Sequence, residues 1–195
     1  MLWDEIGDWF NKTSKNKQKK ERLIMNLKNN IFTTLLLAIG LILHQITPGI
    51  LGGMKFDFLV IFMIVGIILN PKFQNVLLTG LLGGFLSAMT TTFPAGQVPN
   101  IIDKLVTSLV LYLLIKAFNR IDLNLIMVGL LGGFGTLVSG MVFLTSALYI
   151  VGLPAPLLAL IVGIVIPTSL INTLGTVFIY KLVKTAMRSS GLAFR

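Results

Sequence analysis

Six apolar runs separated by short polar breaks leave this chain little choice of fold: residues 31–47, 57–70, 75–93, 103–119, 123–149 and 156–181. Crossing ~30 Å of hydrocarbon takes about 20 apolar residues as a helix, somewhat fewer where polar ends snorkel or neighbours shelter the segment. Each run meets that condition. The expected class is therefore an all-α membrane protein with six transmembrane helices. The residue balance agrees, with 55% hydrophobic, only 12% charged, and a mean hydropathy of +0.90, far from soluble-domain averages.

The formal charge of +9 does not describe a nucleic-acid-binding stripe, because the cations gather at the chain ends and in two short loops. Lys12, Lys15, Lys17, Lys19, Lys20, Arg22 and Lys28 precede the first run; Lys72, Lys116 and Arg120 mark two turns; Lys181, Lys184, Arg188 and Arg195 close the chain. Both termini are accordingly expected in the cytoplasm. The connections on the other face are QITPGILGGMKFD, TFPAGQVPNIID and VGLPAP, each with Gly and Pro to set turns.

Three parts follow: an amphipathic and basic cytoplasmic extension over 1–30, a six-helix transmembrane domain over 31–185, and a basic cytoplasmic tail over 186–195. In the extension Leu2, Ile6, Trp9 and Phe10 recur at helical spacing opposite Asp4, Glu5 and Asp8. This pattern fits a short interfacial helix joined to a basic linker drawn to anionic lipid heads. A solvated tail carrying only an orientation signal is the open alternative. No cleavable signal is expected, since the first apolar run lies behind a long charged stretch.

Several chemistries lack their residues. There are no cysteines, which removes disulfides, zinc thiolates and thiol catalysis. No GxxxxGK[ST] loop binds ATP. Ser139 in LVSGM has no histidine within a neighbouring run, and the single histidine, His44, falls near the outer surface; an enzyme is not expected, nor any cofactor. The runs show no ionisable residue near their centres. A proton relay through the membrane is thus not visible, although a sodium site of carbonyls and hydroxyls stays open.

The motif GLLGGF occurs twice, at 80–85 and 129–134, and sets Gly80/Gly84 and Gly129/Gly133 at the spacing that lets membrane helices approach closely. Thr34 and Ala38 form another small pair. Such faces suit a helix of this chain or a partner subunit, and the sequence leaves both open.

The outer rim carries recognition chemistry. Asp57 or Asp103 is suited to accept hydrogen bonds from an α-ammonium, and Lys55 or Lys104 to neutralise an α-carboxylate. Gln97 and Asn100 offer amides, while Phe93, Met54, Phe56, Phe58 and Tyr149 offer apolar surface for an aromatic ring. His44 joins the same rim. Duller roles exist for each: Asn100 with Asp103 resembles a capping box, and Tyr149 fits an aromatic belt. In the last run, IPTSLINT holds Pro167, expected to kink the helix and to free a carbonyl near Thr168, Ser169 or Asn172. Asn172 is the candidate there, either for substrate or for a neighbouring helix.

The segments LGGMKFDFLVIFMIVGIILNPKFQNVLLTG, SAMTTTFPAGQVPNIIDK, SGMVFLTSALYIVGLPAP and VIPTSLINT together resemble the bacterial tryptophan transporter family TrpP, over residues 31 to 185. That family is similar to the substrate-binding S components of energy-coupling factor (ECF) transporters. The resemblance implies a multi-pass protein of the bacterial cell membrane that binds tryptophan or a related aromatic amino acid at its outer face. It further implies toppling in the bilayer when docked on an ECF transmembrane coupling subunit driven by two ATPases. On this chain the loop bearing Lys55 would act as a lid, and Gln97, Asn100 and Asp103 would supply specificity. The Trp3/Trp9 extension departs from the family core, as do Thr34 and Ala38 where S components often carry an alanine pair. A stand-alone ion-coupled carrier and a structural membrane protein are the alternatives.

Overall fold

A computed structural model describes residues 2–49, 53–118 and 124–189, without the side chains of residues 2–8, 10–12, 22 and 26. Expectations resting on Arg120, Arg195 and the side chains of Leu2, Trp3, Ile6 and Phe10 lie outside the described residues. What is described is helical, with no strand: α1 (Leu2–Ile46), α2 (Leu59–Leu69), α3 (Phe73–Thr90), α4 (Gln97–Ala117), α5 (Leu125–Ile150) and α6 (Leu157–Ser189).

Five of the six helices are long and apolar enough to cross a membrane; α2 is not. At 11 residues it rises ~16 Å, about half the hydrocarbon thickness. Its sequence, LVIFMIVGIIL, is apolar on every side, and Leu59 through Ile68 are all buried. A helix without a polar face belongs inside a bundle, and α2 packs against α1, α3, α4, α5 and α6. The second run therefore forms a core helix, which corrects the expectation that 57–70 spans the membrane by its own length.

Irregular backbone at this depth survives only where protein groups satisfy it. Before α2, the Asn172 amide of α6 donates to the Asp57 carbonyl at 2.9 Å. After α2, the Asn75 amide of α3 donates to the carbonyls of Asn70 (2.8 Å) and Gly66 (3.2 Å). Both asparagines are fully buried.

The glycine motifs are used within the chain. A Cβ on Gly80 would sit 2.3 Å from Ser108 Oγ, and one on Gly84 would sit 3.0 Å from the Ile101 Cα, so the first GLLGGF presses α3 onto α4. In the second copy Gly132 and Gly133 face Thr176 and Thr173 in the same way, pressing α5 onto α6. Thr34 and Ala38 are instead exposed on α1. The outward stripe Leu77, Leu81, Phe85 and Met89 of α3 has the i, i+4 spacing and apolarity of a lipid-facing side.

The charged stretch and the first span form one unbroken helix, so no linker separates them in α1. In α6 the break expected from Pro167 falls a turn earlier, as a π-helical turn at Ile161–Val165. The displacement has a cause: proline lacks an N–H and crowds the carbonyl four residues before it, here Gly163.

Candidate functional site

One cavity of about 550 Å³, counting its open mouth, lies where α1, α4, α5 and α6 meet the two irregular segments 53–58 and 91–96. Six of the nine residues singled out from sequence line it: His44, Lys55, Asp57, Phe93, Asn100 and Asp103. The apolar part of the lining is Met54, Phe93, Phe143, Ile164 and Val165, which pack as one cluster, and Phe93 meets Phe143 edge-to-face at 5.2 Å.

The segment after α1 is fixed in place at Gly53. Its φ of +79° and the 2.4 Å that would separate a Cβ from the Thr92 carbonyl oxygen both demand glycine, and Thr92 Oγ1 donates to the Gly53 carbonyl at 2.5 Å. Lys55 and Asp57 follow, carried to the cavity beside His44 in the last turn of α1. Lys55 Nζ reaches the His44 carbonyl at 3.4 Å.

The ionisable groups, expected together at the outer rim, form a buried network inside the helix bundle. Helix α4 starts at Gln97, so Asp103 and Lys104 stand in its second turn, each 1% exposed. The cap is Gly96, with no side-chain capping bond, and the Asn100–Asp103 capping box does not form. Lys104 Nζ lies 2.5 Å from Asp57 Oδ2 and 3.2 Å from Ser139 Oγ, and also donates to Asp103 Oδ2. Three ammonium protons thereby have three partners. Asp103 Oδ1 accepts from Ser139 (2.5 Å) and Thr107 (3.2 Å). A buried ion pair needs this degree of satisfaction, since its desolvation is otherwise uncompensated.

His44 Nδ1 lies 3.3 Å from Asp57 Oδ1, within ion-pair range but not aligned as a hydrogen bond, and neither atom has a hydrogen-bond partner. Burial opposes ionisation of Asp57, yet the adjacent Lys104 and His44 outweigh it and hold the carboxyl below the ordinary carboxylate range. Partial burial pushes Lys55 below the usual lysine value, against the pull of Asp57.

Three expected residues stand off the cavity. Gln97 is exposed at the start of α4. Lys104 sits behind the wall with its protons committed, so it has none left for a substrate carboxylate. Asn172 serves the Asp57 carbonyl and Thr136 Oγ1 (3.1 Å). Tyr149 is 83% exposed on α5, at a position suited to an aromatic belt rather than to a ligand. Asn100 lines the cavity while accepting from Ser87 (2.7 Å) and donating to the Gly96 carbonyl (2.7 Å).

Sequence reasoning missed Thr136, Gly140, Phe143 and Thr168 as lining residues. The signal was the helical spacing of small and hydroxyl residues at 136, 139 and 140, which places them on one side of α5. Ser139 beside Lys104 also has the outline of a serine–lysine pair. The lysine is held by two carboxylates and donates to the serine, so it offers no free lone pair to take the serine's proton. Among the described residues no cluster of His, Asp and Glu is arranged to hold a metal.

Residues 26–188 match the family described as "Tryptophan transporter TrpP". A "Probable tryptophan transport protein" of Bacillus subtilis (strain 168) is 45% identical over 166 residues, covering 85% of this chain and 96% of the relative. Proteins with the same description in Clostridium acetobutylicum and Clostridium perfringens (strain 13 / Type A) are 44% and 39% identical. They cover 84% and 86% of this chain and 96% and 100% of their own lengths. No solved structure gives a significant match.

Proposed function

The chain belongs to the TrpP family of tryptophan transporters, and from that premise we propose that it captures tryptophan in the cavity between α1, α4, α5 and α6 and takes part in its uptake across the bacterial cell membrane. The supporting observation is the mixed wall: Lys55 and Asp57 bring opposite charges to the cavity, and Phe93, Phe143 and Met54, packed in one cluster, bring an aromatic and polarisable surface. Such a wall suits a zwitterion with a flat apolar body.

On this reading the protein is the substrate-binding component, and the energy comes from an ECF coupling subunit with two ATPases. Two features support this: the chain carries no GxxxxGK[ST] motif, and its family is similar to S components, which supplies the partner. The buried network of Asp57, Lys104, Asp103 and His44 favours a second reading, an ion-coupled carrier that works alone, because titratable groups inside a helix bundle are the usual parts of a proton pathway.

Purified protein in proteoliposomes separates the two. Tryptophan binding without accumulation under proton or sodium gradients is expected for the S component. Accumulation driven by a gradient alone would replace that reading with the second, and absence of binding would overturn both.

A further inference from the structure

Asp57 and Asp103 both border the cavity and both hold Lys104, yet their oxygens are unequally occupied. Asp103 is filled: Oδ1 accepts from Ser139 and Thr107, Oδ2 from Lys104, and the side chain is 1% exposed. Asp57 commits only Oδ2, to Lys104. Its Oδ1 accepts no hydrogen bond, and its side chain is 20% exposed. The near neighbour of that oxygen, His44 Nδ1, is misaligned and equally without a partner. A carboxylate oxygen left so in a protein interior is unfavourable, and a donor arriving through the cavity relieves it.

We infer that the two carboxylates divide the work: Asp57 takes the α-ammonium of the amino acid on Oδ1, while Asp103 is a positioning residue that fixes Lys104, which in turn holds Asp57 Oδ2. The inference rests on the cavity being the tryptophan site. Charge supports the assignment. Two carboxylates share one fully buried lysine, whose protons are all committed, so Asp57 keeps an oxygen facing the cavity to which a substrate ammonium supplies a donor. Lys55, the lysine that lines the cavity, then faces the substrate carboxylate. Selectivity for amino acids over other indoles originates at Asp57.

Affinities for L-tryptophan, for indole-3-propionate, which lacks the ammonium, and for tryptamine, which lacks the carboxylate, test this by titration of the purified protein. One charge-assisted hydrogen bond corresponds to about 10- to 100-fold in affinity, so the wild type should prefer tryptophan to indole-3-propionate by that factor. Asp57→Asn should collapse the preference to roughly threefold or less on the same scale. Asp103→Asn should weaken both ligands alike and keep the ratio. A ratio lost in Asp103→Asn and kept in Asp57→Asn, or kept in both, overturns the division. Binding of none of the three ligands overturns the site reading beneath it.

Should Asp57→Asn fail to fold, the wild type decides. His44 is the single histidine of the chain, and its ring resonances should move with tryptophan and tryptamine but not with indole-3-propionate. Equal movement with all three contradicts the assignment.

Discussion

Along α4 the buried face changes chemistry halfway. Asn100, Asp103, Lys104, Thr107 and Ser108 occupy its first half, whereas Leu111 and Ile115 occupy the second. The first half meets the cavity and the ionic network. The second joins the apolar core around α2, where Ile64, Ile67, Val128 and Leu131 pack. One helix face thus serves two regions held together by different forces. Hydrogen-bond geometry orients the cavity half, and close packing without direction holds the other.

The difference predicts unequal responses to substitution. Lys104→Met leaves two buried carboxylates without their cation and should cost about 3–5 kcal/mol, read as a large fall in melting temperature of the detergent-solubilised protein. The triple variant Lys104→Met, Asp57→Asn, Asp103→Asn should recover much of that loss while losing tryptophan binding. A triple variant that still binds would assign the network a purely structural role. In the apolar half, Leu111→Ala should cost about 2–5 kcal/mol through the cavity it leaves, with tryptophan affinity of the folded fraction unchanged. A shifted affinity there would show that the two halves are coupled.

Smaller effects sharpen the boundary. Lys55→Gln should weaken tryptophan about tenfold, roughly one charge-assisted contact, and leave tryptamine unaffected in the same titration. Tyr149→Ala, at an exposed position, should change melting by no more than about 0.5 kcal/mol. A larger loss for Tyr149→Ala would place that residue in a contact the structure does not show.

The helices were legible because hydropathy and helix length are linked by the bilayer. Two boundaries were not. The run 57–70 contains no break that distinguishes a spanning helix from a shorter one preceded by irregular backbone, since the Asp57 carbonyl is satisfied from outside by Asn172. The start of α4 was hidden by Gln97 and Pro99, residues read as loop although proline fits a first helical turn. A start at Asp103 puts the carboxylate at the rim; a start at Gln97 puts the same carboxylate in the second turn. The spacing of 100, 103, 104, 107, 108, 111 and 115 is a single helical stripe, obscured because its first five members are polar. Local sequence also carries no trace of which oxygen is left without a donor, because that depends on Lys104, Ser139 and Thr107 converging from two helices.

Blocking the cavity is the most direct test of the assignment. Thr168 lines it and bonds only to the Ile164 carbonyl of its own helix, at 2.6 Å, so Thr168→Trp fills the space without touching the ionic network. Calorimetric titration with L-tryptophan should give one binding event per wild-type chain and none for a Thr168→Trp protein that still melts cooperatively. Undiminished binding by that variant would place the ligand elsewhere and contradict the account.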